Sequence, residues 1–288
     1  SEVFEQLETT LIPLNATVGT RLREFFDGLS NLARDPDDSN LRRLALSGAN
    51  ALSTSMSGLH TGLTDLRTVT HGTLELTTAD FNSTLSNLSQ VQREILGNSV
   101  KSGAPHALFD QRDKLLEDLS ELGDISVDYE ANGSVTVSLG KHGAVGTLIE
   151  GATFNQIIVK PEMDGVQTFV KDNFGVSSNI YFSSGQMAGL ISADVAIAET
   201  ISGLDKLAQK FVTEMNSIHG MGLDKDGERG EKLFGLEAAS ITHFPTNLGS
   251  ALMRVEGYAT ELSVATLNAV FDGASDTWTV SSEPEGIA

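Results

Sequence analysis

Residues 105–122, PHALFDQRDKLLEDLSEL, decide how the rest of this chain is read. Pro105 suits the first position of a helix, where its missing N–H would be unpaired in any case. Leu108, Leu115, Leu119 and Leu122 then recur at helical spacing, and Phe109 and Leu116 widen the stripe. Asp110, Asp113, Lys114, Glu117 and Asp118 fill much of the other side. Arg112 breaks the pattern: it follows Leu108 by one turn and precedes Leu115 by another, which points it toward the apolar face. Two readings follow. Its stem packs while its head reaches water, or it forms a bidentate lock on a carboxylate or backbone carbonyls of a neighbouring helix. Neither calls for catalysis.

Upstream, Val3, Phe4, Leu7 and Leu11 predict a short helix ending before Pro13. Leu14, Val18, Leu22, Phe25, Leu29 and Leu32 predict a second one, close to a heptad seam. Asp35-Pro36-Asp37-Asp38 breaks it, and Ser39 or Asn40 is placed to cap the next. No proline occurs from Leu41 to Leu96, and Leu52, Met56, Leu59, Leu63 and Leu66 step by helical intervals. The pattern resumes at Leu74 and continues through Phe81, Leu85, Leu88 and Ile95. This is one very long helix, or two with a joint near Thr70–Thr73. A helix of about 55 residues is roughly 80 Å long, a rod. Its flanks carry Ser, Thr, Asn and Gln, so it depends on packing partners for stability. A loop is expected from Gly97 to Gly103.

Downstream of Gly123 the period changes to two. Ile125, Val127 and Tyr129 alternate, Asn132-Gly133 marks a hairpin turn, and Val135, Val137 and Leu139 alternate back. Gly140 to Gly151 is expected to continue the hairpin to Leu148-Ile149. Phe154 to Val159, Val166 to Val170 and Ile180 to Phe182 read as further strands. Helical period returns at Gly185 with Met187, Leu190, Ile191, Val195, Ile201, Leu204, Leu207, Phe211, Met215 and Ile218, and it is expected to stop near His219-Gly220. Beyond lie candidate strands at 252–255 and 265–269, and a hairpin around Phe271-Asp272-Gly273 and Trp278-Thr279-Val280. The fold class expected is α+β: an elongated bundle of long helices with a small antiparallel β insert and a further β-rich outer region. Residues 1–123 and 184–219 form the bundle, 124–183 the insert, and 220–288 the start of the outer region.

Composition narrows the function. The 288 residues carry 19 Lys and Arg against 39 Asp and Glu, a formal charge of -20. That field repels phosphate backbones and anionic lipid, so neither nucleic acid nor a membrane surface is an expected partner. Aromatic residues make up only 6%, so Leu, Val and Ala carry the packing. The chain has no cysteine, hence no disulfide or thiolate site. No uninterrupted apolar run of about 18 residues suggests a membrane span, and with no basic-then-apolar leader visible a classical signal peptide is not expected.

Motifs for chemistry are weak. Asp224-Lys225-Asp226-Gly227-Glu228 invites a calcium reading, but Arg229 and Gly235 stand where an EF-hand needs Gly and Glu. An acidic glycine-rich turn is the better reading. The six histidines, His60, His71, His106, His142, His219 and His243, have no zinc-ligand spacing. Gly185-Gln186-Met187-Ala188-Gly189 is no phosphate loop, and no serine lies in a Gly-x-Ser-x-Gly elbow. No cofactor, metal or enzymatic activity is expected.

Two motifs carry a resemblance. Asp110-Gln111-Arg112-Asp113, followed by Leu115-Leu116 and Leu119 and then a Val/Tyr strand, resembles a signature of the bacterial flagellar hook-associated protein family. The stretch from Met221 through Gly222, Asp224, Gly227, Gly230, Leu233 and Phe234 resembles that family's glycine-rich segment after a long helix. The resemblance covers most of the chain, in the branch that joins hook to filament. It implies an extracellular structural component that self-associates in a helical assembly, beside the hook protein and the next hook-associated protein. It also implies export through the flagellar secretion system without a cleaved signal, with an export chaperone bound outside this stretch. The structural and assembly residues inferred are Arg112 with Asp110 and Asp113 as bundle locks, Gln111 within the same motif, and the seam Leu52, Met56, Leu59, Leu63 and Leu66 packing long helices side by side. Other axial flagellar proteins, such as a third hook-associated protein or a flagellin, remain an alternative. So does a stalked surface adhesin or binding module, for which Trp278 is the one aromatic hint.

Overall fold

The computed structural model describes residues 2–99, 106–140, 146–162, 164–224, 226–235, 266–272 and 277–283. The expected helix opening at Pro105, the middle of the Gly140–Gly151 continuation and the expected strand at 252–255 lie outside them. The chain divides into two compact units, Ser1–Leu204 and Asp205–Ala288.

The first unit begins with α1 (Glu2–Arg34) and α2 (Ser39–Ser99). The expected stop before Pro13 does not occur. α1 gives up the hydrogen bond residue 13 would donate and runs through it as one helix. The turn between them is capped by Asp38 rather than Ser39 or Asn40: its Oδ1 accepts from the Asn40 N–H at 2.7 Å and more weakly from that of Leu41. The two helices approach closely where small residues allow it. A Cβ on Gly48 would lie 3.3 Å from the Cα of Phe25, a residue that is itself buried.

α2 is a single helix of 61 residues, uninterrupted at Thr70–Thr73. It also absorbs Gly97 and Asn98, the start of the expected loop. At 1.5 Å per residue it is about 90 Å long. Its many threonines fit because each hydroxyl turns back onto the helix: Thr64, Thr68, Thr70, Thr73, Thr77, Thr78 and Thr84 all donate to the carbonyl four residues earlier. That leaves Thr70, Thr77 and Thr78 able to be buried without orphaned donors.

α3 (His106–Leu122) follows, then two antiparallel sheets where one insert was expected. β1 (Ile125–Tyr129), β2 (Val135–Leu139), β3 (Thr147–Glu150) and β4 (Thr153–Phe154) form the first, in sequence order. β5 (Gln156–Pro161), β6 (Val166–Lys171) and β7 (Ser177–Ile180) form the second. The expected single strand over Phe154–Val159 is split at Asn155, whose side chain donates to the Thr147 carbonyl. β2 buries Val135, Val137 and Leu139, its alternate residues. They share one core with Leu148 and Ile149 of β3, with Phe81, Leu85 and Leu88 of α2, and with Leu116 and Leu119 of α3.

α4 (Gly185–Met221) opens beside the end of α3; a Cβ on Gly185 (φ +84°) would fall 2.6 Å from the backbone nitrogen of Gly123, so only glycine fits. By length and composition α4 could cross a membrane, although no unbroken apolar run is evident in its sequence. Its buried residues Met187, Leu190, Ala193, Ile197 and Ala198 are instead packed within this protein, along with the carboxylate of Asp194.

The second unit holds the last turns of α4 and a tight acidic turn. Asp224 accepts at its carboxylate from the N–H groups of Asp226 and Glu228, both at 2.9 Å. Asn216 accepts from the N–H groups of Leu233 and Phe234 and donates to the Phe234 carbonyl. Phe234 stacks edge-on against Phe211, centroids 5.2 Å apart. β8 (Thr266–Asp272) and β9 (Thr277–Glu283) pair as the expected hairpin.

Candidate functional site

Arg112 lies on the inner side of α3, with a side chain 8% exposed. It does not snorkel. Nη1 donates to the Gly133 carbonyl at 2.8 Å, and Nε and Nη2 both reach Asp113 Oδ1, at 2.9 and 2.8 Å. The guanidinium also lies over the rings of Phe109 and Tyr129, at 5.1 and 4.9 Å from their centroids. The acceptor carbonyl belongs to the β1–β2 hairpin, not to a neighbouring helix. Asp113 sits half in solvent and contributes little on its own. Asp110 and Gln111 are exposed on the outer side.

The hairpin itself is built to present that carbonyl. Glu130 and Ser134 close the loop through Glu130 N–H to Ser134 O, and Gly133 N–H returns to Glu130 O. Gly133 adopts φ +87°, completing a three-residue loop with a glycine bulge. Asn132 Oδ1 accepts from both the N–H and the hydroxyl of Ser134.

α2 is fastened to the sheets by polar side chains aimed at strand backbone. Gln92 donates to the Val135 carbonyl at 2.9 Å and accepts from its N–H at 2.6 Å, acting as a missing strand neighbour. Asn82 does the same for Ile157, at 2.9 and 2.8 Å. Ser89 donates to the Ala152 carbonyl. Gln92 and Ser89 have no exposed surface.

A third cluster joins α2 to α4. Arg67 Nε lies 2.8 Å and His71 Nε2 2.7 Å from Asp194 Oδ1, and Arg67 Nη2 donates to the Glu162 carbonyl at 2.6 Å. Burial raises the Asp194 carboxyl's affinity for a proton, but hydrogen bonds from His71 and Arg67, and then their charges, outweigh it and hold it below its ordinary value. Sequence reading passed over this cluster. The available signal was an aspartate between Leu190 and Ile197 on an apolar helix face, which demands a charged partner.

Among the seam residues, Leu52, Leu59, Leu63 and Leu66 are buried and Met56 is half-buried. They pack inside this chain. The stripe is therefore occupied by the protein's own core, and exposed apolar residues on α2 lie elsewhere, at Leu44, Leu46, Val69 and Leu76.

Among the described residues no group of three or more His, Asp or Glu side chains is placed to hold a metal ion. An open groove of about 280 Å³ between β3 and β7 is lined by Thr147, Glu150, Asn155, Asp172 and Ser178. Asp172 already accepts the N–H groups of Phe174 and Val176 there.

Rods fastened to sheets by buried polar side chains define a structural scaffold. The chain belongs to the family described as the flagellar hook-associated protein FlgK helical domain, whose model matches residues 4–234. It is 24% identical over 238 residues to flagellar hook-associated protein 1 of Bacillus subtilis, covering 74% of this chain and 47% of that one. It is 21% identical to the Escherichia coli protein of the same name, covering 86% of this chain and 46% of that one. The flagellar hook junction protein FlgK from Burkholderia pseudomallei shares the fold, with a TM-score of 0.73 at 23% identity over 97% of this chain and 51% of that one. The chain thus spans about half the length of the curated relatives it matches.

Proposed function

We propose that this chain is the helical part of a flagellar junction protein that joins hook to filament. The observation that carries the reading is the family match across residues 4–234, which takes in nearly all of both long helices, both small sheets and α4. The work is mechanical and needs no catalytic step. Subunits pack in a helical assembly outside the cell, after export by the flagellar secretion system without a cleaved signal. The hook protein and the next hook-associated protein are its neighbours, and an export chaperone binds outside this stretch.

Three parts divide the labour in this reading: a bundle of 1–123 and 184–219, a β insert of 124–183, and an outer region from 220. The insert is fixed to the rods by Arg112, Gln92 and Asn82. Since Leu52, Leu59, Leu63 and Leu66 are buried within the chain, contacts between subunits fall on exposed positions such as Leu44, Leu46 and Leu76. Deleting the gene is expected to leave intact hooks without filaments and unpolymerised flagellin in the medium. Hooks bearing normal filaments would overturn the assignment.

A further inference from the structure

We propose that Asn132 is a latent deamidation site, kept unreactive by the grip of Arg112 on the hairpin tip. Asn132-Gly133 is the one Asn-Gly pair in the 288-residue sequence. Glycine leaves its own backbone nitrogen unshielded by any Cβ, which makes this pair the sequence's most reactive amide. Asn132 is exposed at the tip of a turn, open to water and hydroxide.

The chemistry needs only water. The Gly133 backbone nitrogen loses its proton to base and attacks Asn132 Cγ. A nitrogen–carbon bond forms, the Cγ–Nδ2 bond breaks, and the departing nitrogen takes up protons to leave as ammonia. Water then opens the five-membered imide at either carbonyl, giving aspartate or isoaspartate. Nothing is oxidised or reduced. The isoaspartate product lengthens the backbone by one methylene and adds a negative charge beside Glu130 and Asp128.

The fold opposes the ring closure. The Gly133 N–H that must be deprotonated is given to the Glu130 carbonyl at 2.9 Å. The Asn132 side chain, which must swing toward that nitrogen, is held by Ser134 N–H and Oγ, at 2.9 and 2.7 Å on its Oδ1. The peptide unit between Gly133 and Ser134 is pinned at both ends: its N–H on Asn132 Oδ1, its oxygen on Arg112 Nη1 at 2.8 Å. A Cβ at Gly133 would meet the Phe109 ring at 3.0 Å, so the tip is packed from below as well. Arg112, from α3, supplies the hydrogen bond that reaches the Gly133 carbonyl at the hairpin tip.

The test ages the full chain at mildly alkaline pH and reads aspartate and isoaspartate at residue 132 by peptide mapping. A synthetic peptide of residues 128–136 is the unstructured reference. The intact protein is expected to react about tenfold more slowly than the peptide, the order expected for hydrogen bonds to a charged donor. Arg112→Ala is expected to speed residue 132 while Asn82, Asn87 and Asn98 stay unchanged, and Arg112→Lys to fall between. An intact protein that reacts at the peptide's rate overturns the proposal, as does a folded Arg112→Ala with an unaltered rate at 132. If Arg112→Ala unfolds and all asparagines accelerate, the conservative Arg112→Lys decides: faster loss at 132 alone supports the proposal, and an unchanged rate overturns it.

Discussion

Arg67 Nε on α2 lies 2.8 Å from Oδ1 of Asp194 on α4, and that carboxylate has no exposed surface. A charge so placed is tolerable only while its partners remain. Asp194→Ala would leave Arg67 and His71 facing one another without their shared acceptor. It is expected to cost about 3–5 kcal/mol of unfolding free energy, read by chemical denaturation. Asp194→Asn keeps the hydrogen-bonding shape and should cost less.

The same pair sets an acid limit. The Asp194 carboxyl in the folded protein lies below its ordinary value of 3.8, because its partners outweigh burial. The stability it supplies is therefore fully present above 3.8 and is lost as pH falls through the lower, folded value. The denaturation midpoint should drop over that acid range, and Asp194→Asn should flatten this part of the profile.

Gln92 stands in for a strand neighbour of Val135. Gln92→Leu leaves a buried N–H and a buried carbonyl unpaired, for an expected loss of about 1–3 kcal/mol per group. Amide hydrogen exchange at Val135 should accelerate in the variant before exchange within α3 does.

Arg112 holds the Gly133 carbonyl and stacks on two rings. Arg112→Ala is expected to lower stability by about 1.5–3 kcal/mol, the scale of a hydrogen bond from a charged donor. Arg112→Lys, which lacks the planar fork, should recover only part of this. An unchanged melting temperature for Arg112→Ala would restore the snorkelling picture.

Leu63 and Leu76 separate packing from assembly. Leu63 is fully buried, and Leu63→Ala is expected to cost about 2–5 kcal/mol. Leu76 is 70% exposed, so Leu76→Ala should leave the unfolding midpoint nearly unmoved. Filament attachment in a motility assay, not melting, is where Leu76→Asp should register.

Helical and strand periods were legible because they are local. The spacing of Leu52 through Ile95 predicted a rod, and the alternation around Asn132-Gly133 predicted the β1–β2 hairpin, since each pattern arises from neighbours within a turn or a pleat. Pro13 misled for the same reason: it is a local stop signal, and α1 runs on through it. The pairing of Arg67 with Asp194 spans 127 residues, and that of Gln92 with Val135 spans 43. No local rule reaches so far.

By itself, then, the sequence determined that long apolar-striped helices alternate with short strands, because side-chain direction repeats with backbone geometry. Only the tertiary structure decided what each stripe and each buried polar group meets. It gave the Leu52–Leu66 stripe to the chain's own core and turned Arg112 onto a hairpin carbonyl instead of a helix. The reason is physical: a buried charge or amide must find a partner, but which partner depends on elements brought together from distant parts of the chain.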